Sequence, residues 1–275
     1  MATTKTKKKP SAEKVVDNAD AVSIPQAPVV IPSSDIKRMH INVHAYEINK
    51  PYCCHAMSQK ALLQMEQSQD GITKTRKKEP KDQYAEFIGA GYWLRDSKGE
   101  IESLCAPAIQ FKKATVDAVR HVGDKKTLTM KAVRSWFHIR STIPHAPDMV
   151  PLKSKALPEE LFDDMDHRFL GREDASERSR WVTPDRVKEM KRLHKMGVSI
   201  SRHPAKVGMG MDLRYRPKIY NWTATLEVEF DPMFITQDGL VNLINIGGRL
   251  NGIGEWRPSS PQACGDWGMY KVELA

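Results

Sequence analysis

An α+β fold is predicted for this 275-residue chain by three observations. Two segments alternate apolar and polar side chains with a period of two, the mark of half-buried strands. One segment carries an apolar helical side behind a proline start, and another opens on a threonine cap with proline in its first turn. The last thirty residues run from a helix through a glycine-rich loop into a final strand. An apolar share of 40% suffices for a core. No internal repeat divides the chain, so residues 35–275 are read as one domain with insertions at about 68–85 and 142–180.

Residues 1–34 are read as a basic, proline-rich arm. Residues 1–14 carry five lysines against Glu13, and Pro25, Pro28 and Pro32 follow. Such a composition buries too little apolar surface to fold alone. A solvated tail, a polyanion-binding arm and a strap onto a neighbouring copy are its three readings. The first strand spans 36–48, where Met39, Ile41, Val43 and Ala45 alternate with Arg38, His40, Asn42, His44 and Tyr46. That polar face is either an ordinary wet surface or a platform for bases and phosphates. A short helix is expected over 58–67, then a basic loop with Lys74, Arg76, Lys77, Lys78 and Lys81. A hairpin is expected from Phe87–Arg95 to Glu100–Cys105 across the turn Asp96-Ser97-Lys98-Gly99.

Pro107 opens a helix to Val122 whose polar side carries Lys112, Lys113 and Arg120. Strand character is expected from Thr127 to Ser141. Eight lysines and arginines, Arg134 among them, fall within 112–140 against two acids, the densest positive stretch of the folded region. The insertion 142–180 turns acidic, with eight acids against two arginines over 159–177. Thr183-Pro184 caps a helix to about Met196. Basic residues recur from Val198 to Arg216, ending in Arg214-Tyr215-Arg216-Pro217. The clearest strand follows, with Trp222, Ala224, Leu226, Val228 and Phe230 on one side. A helix over 237–246 leads to Gly247-Gly248-Arg249-Leu250-Asn251-Gly252-Ile253-Gly254-Glu255-Trp256-Arg257-Pro258, and a last strand spans 267–274.

Six of the 16 glycines lie between 247 and 268. Glycine admits positive φ and close backbone approach, arginine grips phosphate with two donors, and tryptophan offers a flat face for bases. The same residues also serve as tight turns and core aromatics. With 43 lysines and arginines against 34 acids, the net charge is +9, a balance that favours polyanionic partners. No apolar run reaches the roughly 18 residues of a membrane helix. The lysine-rich start lacks the apolar segment of a secretory signal. The four cysteines show no CxxC spacing and read as reduced, buried residues of a cytoplasmic protein. The phosphate-loop, nucleophile-elbow and zincin motifs are absent, so neither an enzyme nor a cofactor is expected. Asp163, Asp164, Asp166 and His167 read as a solvated acidic loop, not a metal site.

The order of elements resembles the RAMP superfamily, whose members form guide-RNA-holding backbone subunits of CRISPR effector complexes. Its hallmark is a glycine-rich loop between the last helix and last strand, similar to Gly247–Gly254 and Gly265–Gly268. The tail also resembles a group of phage and mobile-element proteins through Arg214, Arg216, Pro217, Trp222, Gly252-Ile253-Gly254-Glu255-Trp256-Arg257-Pro258 and Gly265-Asp266-Trp267-Gly268. The likeness covers about sixty residues closely and the rest by element order. It implies a ferredoxin-like palm and a non-enzymatic protein that coats single-stranded RNA or DNA as a multimer in the cytoplasm, the host's if phage-encoded. Partners would be the strand, further copies of the chain and other subunits of a ribonucleoprotein. The expected contact set is Arg38, His40, Tyr46, Lys112, Lys113, Arg120, Arg134, Arg214, Arg216, Gly248, Arg249, Gly252, Gly254, Trp256 and Arg257. The alternatives are a ribonuclease of the same superfamily and a structural virion or scaffold protein.

Overall fold

Strand β1 (Lys37–Ala45) buries Met39, Ile41 and Val43 and turns Arg38 and His40 to solvent, as its alternation predicts. The computed structural model describes residues 35–57, 59–70, 81–122, 128–170, 181–207, 210–261 and 265–275. The arm 1–34 and most of the basic loop, residues 71–80, lie outside them. After β2 (Tyr52–Cys53) and helix α1 (Gln59–Gln69) comes α2 (Gln83–Gly89). Asp82 starts α2 by accepting the Ala85 N–H at 3.0 Å, and Tyr84 and Phe87 bury one side of it. The strand expected from Phe87 is therefore helical at its start, because a cap and an i, i+3 aromatic pair outweigh local β propensity. Of the expected first strand, only β3 (Trp93–Arg95) is extended, and it pairs with β4 (Ile101–Pro107) across the predicted Asp96–Gly99 turn.

Helix α3 (Ala108–Ala118) ends in a 3-10 turn, Val119–His121. The predicted strand 127–141 divides into α4 (Met130–Trp136) and β5 (Phe137–Ser141). Thr129 caps α4 through the Ala132 N–H at 3.2 Å, and only Phe137, Ile139 and Ser141 bury at alternate positions. The expected insertion supplies core elements: β6 (Met149–Leu152) pairs with β4, and α5 (Asp164–Leu170) buries Met165 and Phe169. Helix α6 (Pro184–Lys195) carries the predicted Thr183 cap. A long hairpin of β7 (Val198–Val207) and β8 (Gly210–Ile219) follows, where only basic character was expected. Then come β9 (Thr223–Phe230), α7 (Gln237–Leu250) and β10 (Tyr270–Leu274).

One four-stranded antiparallel sheet has the order β10-β1-β9-β5. Numbering its strands in chain order gives 4-1-3-2, connected as strand–helix–strand–strand–helix–strand through α3 and α7. Both helices share a core with Ile41, Val43, Leu226 and Val228. Two smaller antiparallel sheets, β2-β8-β7 and β3-β4-β6, complete an α+β fold among the described residues. Trp222, Tyr52, Phe111 and Tyr270 meet at ring separations of 5.5–6.4 Å beneath the C-terminal loop.

Gly247 and Gly248 belong to α7, which corrects their expected place in the loop. A Cβ on Gly247 would stand 2.8 Å from the Ala114 carbonyl of α3, and one on Gly248 would stand 2.3 Å from the Tyr270 carbonyl of β10. These glycines let backbones touch.

Candidate functional site

The loop begins where Asn251 and Gly252 donate their N–H groups to the Gly247 carbonyl, at 3.0 and 2.9 Å, closing α7. From there it is tied down along its length. Ile253 N–H donates to Gly268 O, Gly268 N–H to Pro51 O and Glu255 N–H to Cys53 O, all at 2.9–3.0 Å. Gly254 (φ +75°) and Gly268 (φ +65°) sit in the left-handed region, and a Cβ on either would enter a carbonyl, of Cys53 at 2.5 Å or Ile253 at 1.8 Å. The glycines thus build a rigid loop.

Side chains follow that frame. The Arg257 Nη1 donates to Gly254 O at 2.7 Å and its Nε to Ser259 Oγ at 3.2 Å. Its guanidinium braces the loop, although a phosphate-gripping orientation was expected. Glu255 lies between His55 Nδ1 and Arg216 Nη1, each at 3.3 Å. The His55 contact, then the Arg216 charge, outweigh desolvation and hold its carboxyl below the ordinary 4.5. A cavity of about 220 Å³ opens between α3 and the loop, lined by His55, Gln110, Lys113, Asp117, Glu255 and Arg257 among others.

Beside it, Trp256 and Trp267 flank His203 at ring separations of 5.2 and 5.4 Å. Burial, reinforced by the nearby Lys218 charge, pushes the His203 pKa below 6.5. Lys218 lies 5.2 Å from the Tyr220 ring centre and 5.9 Å from that of Trp267, and donates to Asp163 at 3.2 Å. Desolvation disfavours its charge, but Tyr220 and Asp163 prevail and raise its pKa above 10.5.

Of the expected contact set, Lys113, Gly252, Gly254 and Arg257 converge on the cavity. Arg216 joins them through Glu255, and Trp256 stands at His203. Arg214 shares the Arg216 face of β8 and meets Asp212 at 3.3 Å. Gly248 is buried in α7, while Arg249 is exposed on it. The rest lie elsewhere. Arg38 and His40 are on the sheet face turned from the helices, where Glu229 accepts from Arg38 at 2.8 Å and faces Arg140 at 3.5 Å. Tyr46 follows β1 under Lys50, Lys112 reaches the Phe137 ring and His138, Arg120 pairs with Asp117 at 3.9 Å, and Arg134 is exposed on α4.

His55, His203, Lys218 and Asp163 were missed. One signal was present. Arg214, Arg216 and Lys218 alternate with Tyr215, Pro217 and Ile219, and the register sets them opposite His203, Ser201 and Ser199 on one hairpin face. The expected solvated acidic loop also needs correction. Asp166 is fully buried, accepting from His194 Nε2 at 2.8 Å, Ile200 N–H at 3.1 Å, Asp163 N–H at 2.9 Å and the Ser199 hydroxyl. The sequence matches no protein-family profile and no curated protein. Among the described residues, no helix is long and apolar enough to cross a membrane.

Proposed function

We propose that this chain is a non-enzymatic, RAMP-like protein that coats single-stranded nucleic acid, RNA foremost, as a row of copies in the cytoplasm. The palm in this reading is ferredoxin-like. The observation that carries it is the 4-1-3-2 antiparallel sheet with two helices on one face, whose second helix reaches the edge strand β10 through a braced glycine loop. That is where the superfamily keeps its hallmark loop. Lys113 of α3 lines the cavity beside the loop, Arg249 is exposed on α7 and Trp256 lies in the loop, and the +9 net charge supports a polyanionic ligand. Affinity then comes from phosphate neutralisation and stacking, neither of which reads base identity.

Purification with and without nuclease tests this. The expected result is a high 260/280 nm absorbance ratio that falls with nuclease and salt, and comparable binding of labelled oligouridylate and oligoadenylate. A nucleic-acid-free oligomer that binds neither strand favours the scaffold alternative and overturns the proposal.

The ribonuclease reading has one observation in its favour. His55, paired with Glu255 at 3.3 Å, lines the same cavity as Lys113, Asp117 and Arg257, which joins a potential acid–base group to cations suited to a phosphodiester. Cleavage of labelled RNA in chelator, abolished by His55→Ala, is the result that would select it. An intact substrate after prolonged incubation rejects it.

A further inference from the structure

Four cations of the expected contact set meet carboxylates within the chain: Arg38 has Glu229, Arg120 has Asp117, Arg214 has Asp212 and Arg216 has Glu255. A cation so neutralised releases few counterions when a phosphate approaches. Helix α6 is different. Lys188, Lys191 and Lys195 recur at i, i+3 and i+7 and so project from one side. All three are exposed, and their ammonium groups have no hydrogen-bond or ion-pair partner among the described residues.

The neighbouring carboxylates are largely committed elsewhere. Glu189 accepts from the Tyr84 hydroxyl, and Glu100 pairs with Arg192 at 2.7 Å. Asp185 remains at the helix N-terminus. Lys98 lines the same groove of about 710 Å³. At the other end, Leu157 N–H donates to His194 O at 2.7 Å, and Gly197 is packed against the Lys155 carbonyl, which sets exposed Lys155 beside the helix C-terminus. Met190, Leu193 and His194 anchor the buried side of α6, so the lysines stand on a fixed element.

We infer that this face of α6, with Lys98 across the groove and Lys155 at the helix end, is the phosphate track of a polynucleotide site. The inference rests on the nucleic-acid reading above. Lys188 to Lys195 spans about 10.5 Å at 1.5 Å per residue. The lysines recur along that length, so each can meet a phosphate of one strand passing over the face. No base contact is implied, because a row of flexible ammonium groups reads charge and spacing alone.

Fluorescence anisotropy of the full chain with labelled oligouridylate and oligothymidylate, over a range of salt, tests the track. The triple variant K188Q/K191Q/K195Q is expected to bind more weakly, with the slope of log K against log salt reduced by about 2, or roughly 0.7 per lost contact. K188R/K191R/K195R should keep the wild-type slope, and melting temperatures should match. A triple-glutamine variant with the wild-type slope overturns the inference while leaving the nucleic-acid reading standing. Wild-type protein that binds neither oligonucleotide overturns that reading and the track together, and capture of an acidic polypeptide by the same lysines would then reassign the face.

Discussion

Trp256 holds φ at +58°, a backbone conformation rare for a bulky side chain. The Glu255 N–H bond to Cys53 O just before it and the Trp267 N–H bond to the Trp256 carbonyl hold the loop there. Arg257 supports the same geometry. Arg257→Ala should lower stability by about 1–2 kcal/mol, from two lost hydrogen bonds, and leave the salt slope of oligonucleotide binding unchanged. Calorimetry and anisotropy check both parts. Gly254→Val should cost more, since it adds a β-branched side chain at positive φ beside a carbonyl. An equal or higher melting temperature would mean that the loop backbone is unconstrained. The depressed His203 pKa gives a pH signature. The unfolded chain binds the proton more readily, so this contribution is present above pH 6.5 and is lost as pH falls through the lower folded value. The melting temperature should therefore drop between about pH 7 and pH 5, and His203→Gln should flatten that drop. Glu255 acts in a lower window, its contribution being lost only below the ordinary glutamate value of 4.5.

The β7–β8 hairpin carries a ladder of cations, one answered by a carboxylate of its own strand and two by carboxylates from distant segments. Asp212 serves Arg214, Glu255 serves Arg216 and Asp163 serves Lys218. Lys218 is nearly buried, with 6% of its side chain exposed, so removal of its partner leaves a desolvated charge. Asp163→Asn should destabilise by about 2–3 kcal/mol, less than the 3–5 typical of a fully buried pair because Asp163 is partly exposed. Chemical denaturation measures this, and an unchanged midpoint would show that Tyr220 and Trp267 alone hold the ammonium. The α3–α7 contact depends on Gly247 in a similar way. Gly247→Val drives a side chain into the Ala114 carbonyl and should cost at least about 2–3 kcal/mol, seen as a lower melting temperature.

The molecule separates two kinds of positive charge. Arg38, Arg140, Arg214 and Arg216 meet carboxylates within the chain and organise structure, whereas the lysines of α6 form an exposed row. Under the proposed function, binding by a row of copies on a long strand is governed by phosphate contacts and weakens steeply with salt. Light scattering should therefore show assemblies that grow with strand length at low salt and disperse as salt rises. Assemblies unaffected by both salt and nuclease would point to protein–protein contacts as their basis.

Local patterns in the chain were enough for the two longest strands of the main sheet, for α6 with its threonine cap, for the start of α7, and for the closing strand–helix–loop–strand order. Each depends on residues a few positions apart: alternation along β1 and β9, or a hydroxyl that meets an N–H three residues on. The loop was recognisable from its glycines, but its chemistry was not. Arg257 turns inward because the Gly254 carbonyl faces it, and Glu255 is held by His55 and Arg216, residues distant in sequence. Gly247 and Gly248 read as loop residues until α3 and β10 are seen to press against them. Asp163 and Asp166 read as solvated until Lys218, His194, Ser199 and Ile200 surround them. Periodicity encodes which side of an element is apolar, but whether a charged group meets solvent or a partner is set by packing between distant segments, which no local pattern records.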